Sequence, residues 1–249
     1  MRPLNQADFE RYRLLFGLSA TRKKVAEAKR IINQAFADAH ASRWYVACSF
    51  GKDSMALQHL VRGINPDVTV VFIDDQASYT PFDYALIKNY SQAIPNFIHL
   101  RWDKVAYMQD NDNPYPRGNL HQTMFEPLFA WLKAEPHDGL FMGLRKEESV
   151  GRLFSMAKHG AIHQYQTGAQ KGSWRCVPLQ NWAVDQVGAY LIGHDLPILD
   201  IYLKMGFEAR SGVFGSSNAH LGRIAYLRQH CPADYERYIS IVPDARNYT

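Results

Sequence analysis

The sequence predicts an α/β fold, a mainly parallel sheet sandwiched by helices with helical extensions at both ends, and three observations carry that prediction. Residues 44–48, 68–73 and 97–100 are short apolar, aromatic or β-branched runs of the kind that fill buried strands. Segments with helical spacing lie between them, the alternation that builds parallel sheets through right-handed crossovers. Distinctive polar turns follow the strand ends, and such sheets hold ligands beyond the carboxyl ends of their strands.

Taken in order, residues 5–40 read as two helices. Phe9, Tyr12, Leu15 and Phe16 mark the stripe of the first. Val25, Ala28, Ile31, Ile32 and Phe36 keep the period of the second, from Ser19 to about Ala39. Arg22, Lys23, Lys24, Lys29 and Arg30 give it a basic side, read as a solvated face ahead of a nucleic-acid patch. The strand at 44–48 runs through a polar turn into a helix whose buried side is Met55, Leu57, Leu60 and Val61. Gly63 and Pro66 punctuate the chain before the β run 68–73, which ends in Asp74-Asp75. A helix is expected from Pro81 to about Ala93, then a strand at 97–100. Residues 101–123 read as an irregular loop with Trp102, Tyr107, Pro114, Pro116 and Gly118. A helix from Thr123 to Ala134, a strand at 139–142 and a short helix to about Lys158 come next. Two short strands are expected at 161–166 and 174–177, and a helix at 183–193. Residues 196–206 form a further element, 210–215 a loop, and helices near 219–229 and 232–239 close the chain.

Composition narrows the function. The 249 residues are 47% hydrophobic and 21% charged, a globular balance and not that of a disordered chain. A net charge of +4 and a pI near 8.9 suit anionic small molecules and admit nucleic acid without requiring it. No run approaches the roughly 20 apolar residues that span a bilayer, so no membrane association is expected. Cys48, Cys176 and Cys231 stand far apart with no CxxC pair, which argues against a disulfide framework, a zinc site or an iron–sulfur site. Reduced thiols and a cytoplasmic location are the expectation.

The turn Ser49-Phe50-Gly51-Lys52-Asp53-Ser54 is the strongest functional signal. A strand turning tightly into a helix leaves backbone N–H groups at the helix start, along the positive end of the helix dipole. That is a phosphate site, and Lys52 adds a mobile positive charge. The plainer alternative is an ordinary turn with Asp53 or Ser54 near an N-cap.

Four segments together resemble one family. Residues 49–54 match an S-[GF]-G-K-D-S loop, and Val71-Phe72-Ile73-Asp74 matches a second strand ending in Asp. Gly143-Leu144-Arg145-Lys146-Glu147-Glu148-Ser149, followed by Arg152, matches a G-x-R-x-x-E-S segment. Residues 178–187, with Pro178, Trp182 and Asp185, match a P-[LI]-x-x-W-x-x-x-D-V segment. The chain thus resembles the phosphoadenosine phosphosulfate (PAPS) reductase-like group of the PP-loop ATP pyrophosphatase, or adenine nucleotide alpha hydrolase-like, superfamily, from residue 44 to about 212.

The resemblance implies a five-stranded, mainly parallel sheet and a ligand that is ATP or a PAPS-type adenine nucleotide. The expected division is an N-terminal helical extension (1–40), a nucleotide-binding domain (41–212) and a C-terminal helical tail (213–249). The expected binding residues are Ser49, Phe50, Gly51, Lys52, Asp53, Ser54, Asp74, Gly143, Arg145 and Arg152, with Lys52, Asp53 and Arg145 catalytic. Asp53 would cap the helix or hold Mg²⁺, and Asp74 would lie near the ribose or a metal. Arg145, reinforced by Arg152, would fork onto phosphate or sulfate; the alternative for Arg145 is an ion pair with Glu147 or Glu148. Trp182 reads as core packing and Asp185 as a helix-start charge.

Departures from the family separate binding from reduction. Its thioredoxin-dependent reductases carry a cysteine followed by Gly-Leu-His near the C-terminus, whereas here the tail has only His230-Cys231-Pro232. The segment where other branches place paired cysteines, 210–217, has no thiol, so no iron–sulfur cluster is expected. The leading expectation is an enzyme that cleaves ATP between the α- and β-phosphates and adenylylates an unidentified acceptor. The alternatives are a sulfonucleotide reductase using Cys231 and a nucleotide-binding accessory module in DNA sulfur modification. Nucleic acid, a protein partner or a second copy of the chain stay open as partners.

Overall fold

The computed structural model describes residues 2–38, 41–104, 106, 124–211 and 222–248. Two helices come first, α1 (Gln6–Gly17) and α2 (Ser19–Asp38). They lead to β1 (Trp44–Ala47), α3 (Lys52–Arg62), β2 (Thr69–Asp74), α4 (Pro81–Ser91) and β3 (Phe97–Arg101). Next are α5 (Glu126–Ala134), β4 (Gly139–Phe141), a 3₁₀ turn (Lys146–Glu148), α6 (Val150–His159), β5 (Ile162–Gln164) and β6 (Trp174–Cys176). The last elements are α7 (Val184–Gly193), α8 (Asp200–Met205), α9 (Arg223–His230), α10 (Pro232–Ile241) and a 3₁₀ segment (Pro243–Tyr248). Residues 105 and 107–123 of the predicted loop lie outside the described residues, with Thr123 among them. So do 212–221, which hold the loop end at Val213-Phe214-Gly215 and the helix start predicted at Ala219.

One sheet runs in the order β3-β2-β1-β4-β6-β5, and every neighbouring pair is parallel except β5 with β6. The α/β class is as expected. Among the described residues the sheet has 6 strands, one more than the resemblance implies. The additional strand is β5, which folds back onto β6 through a turn where Gly168 and Gly172 sit at φ 81° and 91°. Only glycine adopts that backbone without strain.

Side-chain alternation along the strands assigns the two faces. Trp44, Val46, Val70, Phe72 and Phe141 meet Ile32 of α2, Leu57 and Leu60 of α3 and Leu191 of α7 in the larger core. Tyr12 of α1 and Tyr238 of α10 join the same cluster. On the opposite face Tyr45, Val71 and Leu140 pack against Leu128 and Trp131 of α5. No described helix is long and apolar enough to cross a membrane.

Topology then fixes where a ligand can sit. The chain runs from β1 outward to β2 and β3, and afterwards returns to the other flank of β1 as β4. The turns after β1 and β4 therefore leave neighbouring strand ends in opposite directions, and the crevice between them is the usual ligand position of an open α/β sheet.

Candidate functional site at the sheet switch point

The turn between β1 and α3 is held in shape from several sides. Phe50 has φ 55°, the left-handed region that a side chain adopts only under constraint. The constraint is burial: its ring packs edge-on against Phe72 at 5.1 Å and lies 6.0 Å from Phe97. Gly51 follows in a tight place, since a Cβ there would lie 2.6 Å from Ser211 Oγ and force that side chain to shift. Ser54 Oγ accepts from the Ser49 N–H at 3.1 Å and donates to the Gly51 carbonyl at 3.0 Å, closing the loop on itself. Tyr79 Oη donates to the Ser49 carbonyl at 3.0 Å, and the Lys52 N–H donates to Tyr202 Oη at 3.2 Å. Gly51 is the N-cap of α3 with no side-chain cap, so neither Asp53 nor Ser54 takes the capping role open to it in the sequence.

Asp53 faces outward from the first turn of α3 and collects two cations. Its Oδ1 accepts from Arg145 Nε at 2.6 Å, and its Oδ2 lies 3.1 Å from Lys52 Nζ. Gly143 allows this meeting, because a Cβ at that position would sit 2.9 Å from the Asp53 carbonyl group. Lys52 and Arg145 are only 5% and 3% exposed. Burial opposes the charge of Lys52, but Tyr202 and Asp53 outweigh it and hold the ammonium above its ordinary pKa. Burial also opposes Arg145, and Asp53, Glu148 and Glu147 more than offset it. Both cations are therefore charged at neutral pH.

A second tier of pairs surrounds them. Arg145 Nη1 reaches Glu147, as the ion-pair alternative foresaw, and the Arg145 N–H donates to Glu148 at 3.0 Å. Arg152 joins only through Glu148, while Arg210 donates to the Glu148 carbonyl at 3.2 Å. Lys52, Arg145, Glu147, Glu148 and Arg210, but not Arg152, line a cleft of about 340 Å³ together with Val184, Phe207 and Glu208. A larger hollow of about 500 Å³ lies at the amino ends of the strands, among Arg43, Thr69, Asn96 and His137, where none of the motif residues fall.

Of the residues singled out in sequence, Ser49, Gly51, Lys52, Asp53, Ser54, Gly143 and Arg145 come together, with Phe50 anchoring the turn. Asp74, at the carboxyl end of β2, makes no hydrogen bond to them among the described residues. Its carboxylate is engaged by His99 Nε2 at 3.0 Å, Tyr84 Oη at 2.8 Å and the Gln76 N–H at 2.8 Å. Trp182 is buried in the core, and Asp185 sits in the first turn of α7, paired with Arg11 at 3.1 Å. Tyr79, Tyr202, Ser211 and Arg210 were not legible as site residues, because nothing local in the sequence sets them apart from packing groups.

A divalent cation does not fit Asp53 as it stands, since both its oxygens already face fixed cations. Among the described residues no group of three or more His, Cys, Asp or Glu could hold a metal. The thiols are also quiet. Burial pushes Cys48 up to about 11 and Cys176 well above its ordinary value. Cys231 is raised by burial too, and its Sγ donates to Tyr226 Oη at 3.3 Å.

Comparison with known proteins gives this arrangement a family. Adenosine 5'-phosphosulfate reductase of Bacillus cytotoxicus is 28% identical over 188 residues, covering 69% of this chain and 75% of that protein. The reductase of the same name from Bacillus cereus is 31% identical over 165 residues, covering 61% of this chain and 64% of that protein, so slightly less than two thirds of its length is spanned. In fold, the chain is similar to phosphoadenylyl-sulfate reductase from Candida auris in a phosphate complex, with TM-score 0.53 at 19% identity, covering 80% of this chain and 91% of that one. It is similar as well to Candida glabrata FMN adenylyltransferase in complex with ATP, with TM-score 0.53 at 17% identity, covering 78% and 65%. Residues 43–209, which hold all six described strands and every residue lining the cleft except Arg210, match the phosphoadenosine phosphosulfate reductase domain. The chain belongs to the phosphoadenosine phosphosulfate reductase domain family, within the PP-loop superfamily.

Proposed function

We propose that the chain binds an adenine nucleotide along residues 49–54, cleaves ATP between the α- and β-phosphates and transfers the adenylyl group to an acceptor. One observation carries the reading: two buried, charged side chains, Lys52 and Arg145, share a single aspartate at the start of α3 beside an open cleft. In the reaction, a nucleophile of the acceptor attacks the α-phosphorus, the bond to the bridging oxygen breaks, and the electron pair leaves on pyrophosphate. Charge grows on the leaving oxygens. Lys52, Arg145 and the N–H groups at the start of α3 are positioned to take it, with the phosphates displacing Asp53 from its two cations. Asp53 keeps the cations fixed and charged before the nucleotide arrives. The same fold in the Candida glabrata adenylyltransferase holds ATP. Cysteines without disulfide partners agree with a cytoplasmic setting.

A second reading is favoured by the curated relatives, which are adenosine 5'-phosphosulfate reductases at 28% and 31% identity. It uses the same anion site with Cys231 as nucleophile. The pKa of Cys231 weighs against it, since burial raises it by more than the bond to Tyr226 lowers it, and the thiolate is the attacking form. Incubation with α-labelled ATP and a panel of acceptors is expected to release pyrophosphate and label an acceptor. ATP left intact throughout, with sulfite released from adenosine 5'-phosphosulfate by the wild type but not by Cys231→Ser, transfers the assignment to the reductase.

A further inference from the structure

The C-terminal helices bring an arginine to the back of the phosphate turn. Arg223, the first residue of α9, is 0% exposed. Its Nη1 donates to Asp83 Oδ2 at 2.7 Å and its Nε to the Ser211 carbonyl at 3.3 Å. The guanidinium lies over the Tyr79 ring, 5.2 Å from its centroid, and Nη2 has no hydrogen-bond partner among the described residues. Both protein groups that it touches on this side act on the turn. Tyr79 Oη holds the Ser49 carbonyl, and Ser211 Oγ fills the space beside Gly51. Asp83 also belongs to the capping box of α4, so the arginine has a fixed base to push from.

A charge sealed this deeply is a poor device for stability alone, since an apolar side chain of similar volume packs as well or better. An unpaired buried donor adds to the penalty. We infer that Arg223 is a positioning residue for the phosphate turn, acting through Tyr79 on Ser49 and through Ser211 on Gly51. It sets the direction in which the turn presents its N–H groups to the phosphate or pyrophosphate portion of a nucleotide. The inference rests on the nucleotide reading for its consequence, but the brace itself is a property of the ligand-free protein. It also makes the C-terminal segment a working part of the site.

The experiment uses the full chain with Arg223→Met, Arg223→Lys, Tyr79→Phe and the double variant Arg223→Met with Tyr79→Phe. Circular dichroism establishes which of them fold. Amide hydrogen exchange of residues 49–54 without ligand, and the dissociation constant for inorganic pyrophosphate, are then measured. Arg223→Met is expected to speed exchange across the turn about tenfold, as local opening becomes easier. It is expected to weaken pyrophosphate binding about tenfold, as misplaced donors do. Adding Tyr79→Phe to it costs less than Tyr79→Phe alone, because the Tyr79 route is already disturbed. Unchanged turn exchange in a folded Arg223→Met protein, or fully additive losses in the double variant, overturns the inference. Should Arg223→Met fail to fold, unchanged exchange in both Arg223→Lys and Tyr79→Phe overturns it equally. A wild type that binds neither pyrophosphate nor ATP removes the nucleotide reading, while turn exchange still decides the brace.

Discussion

Arg145 and Arg223 are two almost fully buried arginines, each tied to an aspartate at nearly the same distance, 2.6 Å to Asp53 and 2.7 Å to Asp83. They differ in what surrounds the pair. Asp83 has one cation, and that pair is sealed at 0% exposure on both sides. Asp53 has two cations, Lys52 and Arg145, and they line a cleft. Burial and a close partner are therefore no guide to ligand binding by themselves. Two cations gathered on one carboxylate at an open helix start are the better sign, because an incoming anion can replace that carboxylate and satisfy both at once.

The sharpest way to break this comparison is to remove one member of the sealed pair and one of the open pair and compare the damage. Asp83→Ala leaves Arg223 buried without its counter-charge, and urea unfolding is expected to report a loss of about 3–5 kcal/mol. Little or no loss would show that water reaches Arg223 and that the pair is not sealed. Arg145→Met removes one of the two cations on Asp53 while Lys52 still neutralises it. Its stability is expected to fall less than that of Asp83→Ala, whereas kcat/KM for pyrophosphate release drops about 100-fold to 1000-fold, the range for losing one preorganised donor to a developing oxyanion. Equal turnover in Arg145→Met and wild type would remove Arg145 from the chemistry.

Much of this was readable from residues. The turn 49–54 announced itself because a glycine, a lysine and two hydroxyls follow a β run directly, and no packing demand selects that set. The strand 68–73 and the helix after Ser49 were clear for the same reason: one period dominates each segment. Asp74 shows the limit. Its position at a strand end was correct, but its partners His99 and Tyr84 come from 25 and 10 residues away, and only the fold reveals that they occupy its carboxylate. The contribution of the C-terminal helices was hidden in the same manner. Arg223 meets Asp83 across 140 residues, and in sequence each is an ordinary charge on an ordinary helix. The strand at 162–164 was legible as a β run, while its antiparallel return onto β6, through a turn with two glycines at positive φ, was not.

A smaller effect tests whether the open pair depends on the close approach of two turns. Gly143→Ala would place a Cβ 2.9 Å from the Asp53 carbonyl group, against backbone that has no flexible end to yield. Overpacking of this kind costs about 1–3 kcal/mol. The expected result is a modestly lower midpoint in urea with a disproportionate loss of pyrophosphate affinity, because Arg145 is pushed away from α3. If stability and affinity fell in proportion, Gly143 would be a packing residue only.

The smallest effect comes from a half-buried titratable group with no counter-charge among the described residues, which completes the contrast between the two arginines. Burial first, and then His194, Arg62 and Lys29, lower the pKa of His59 from 6.5 to about 4, and its Nδ1 pairs with Tyr190 Oη at 2.8 Å. The unfolded chain thus takes up the proton before the folded one does. Stability from the neutral imidazole is complete above pH 6.5 and is lost as pH falls through 4. Urea midpoints measured from pH 7 to 4 are expected to decline more steeply for wild type than for His59→Gln. Some slope persists in the variant, because His194 is lowered by burial as well. Parallel curves would mean that His59 opens to water before it titrates. That outcome would leave carboxylate pairing, as at Asp53 and Asp83, as the more dependable way for this fold to keep a charge-bearing side chain inside.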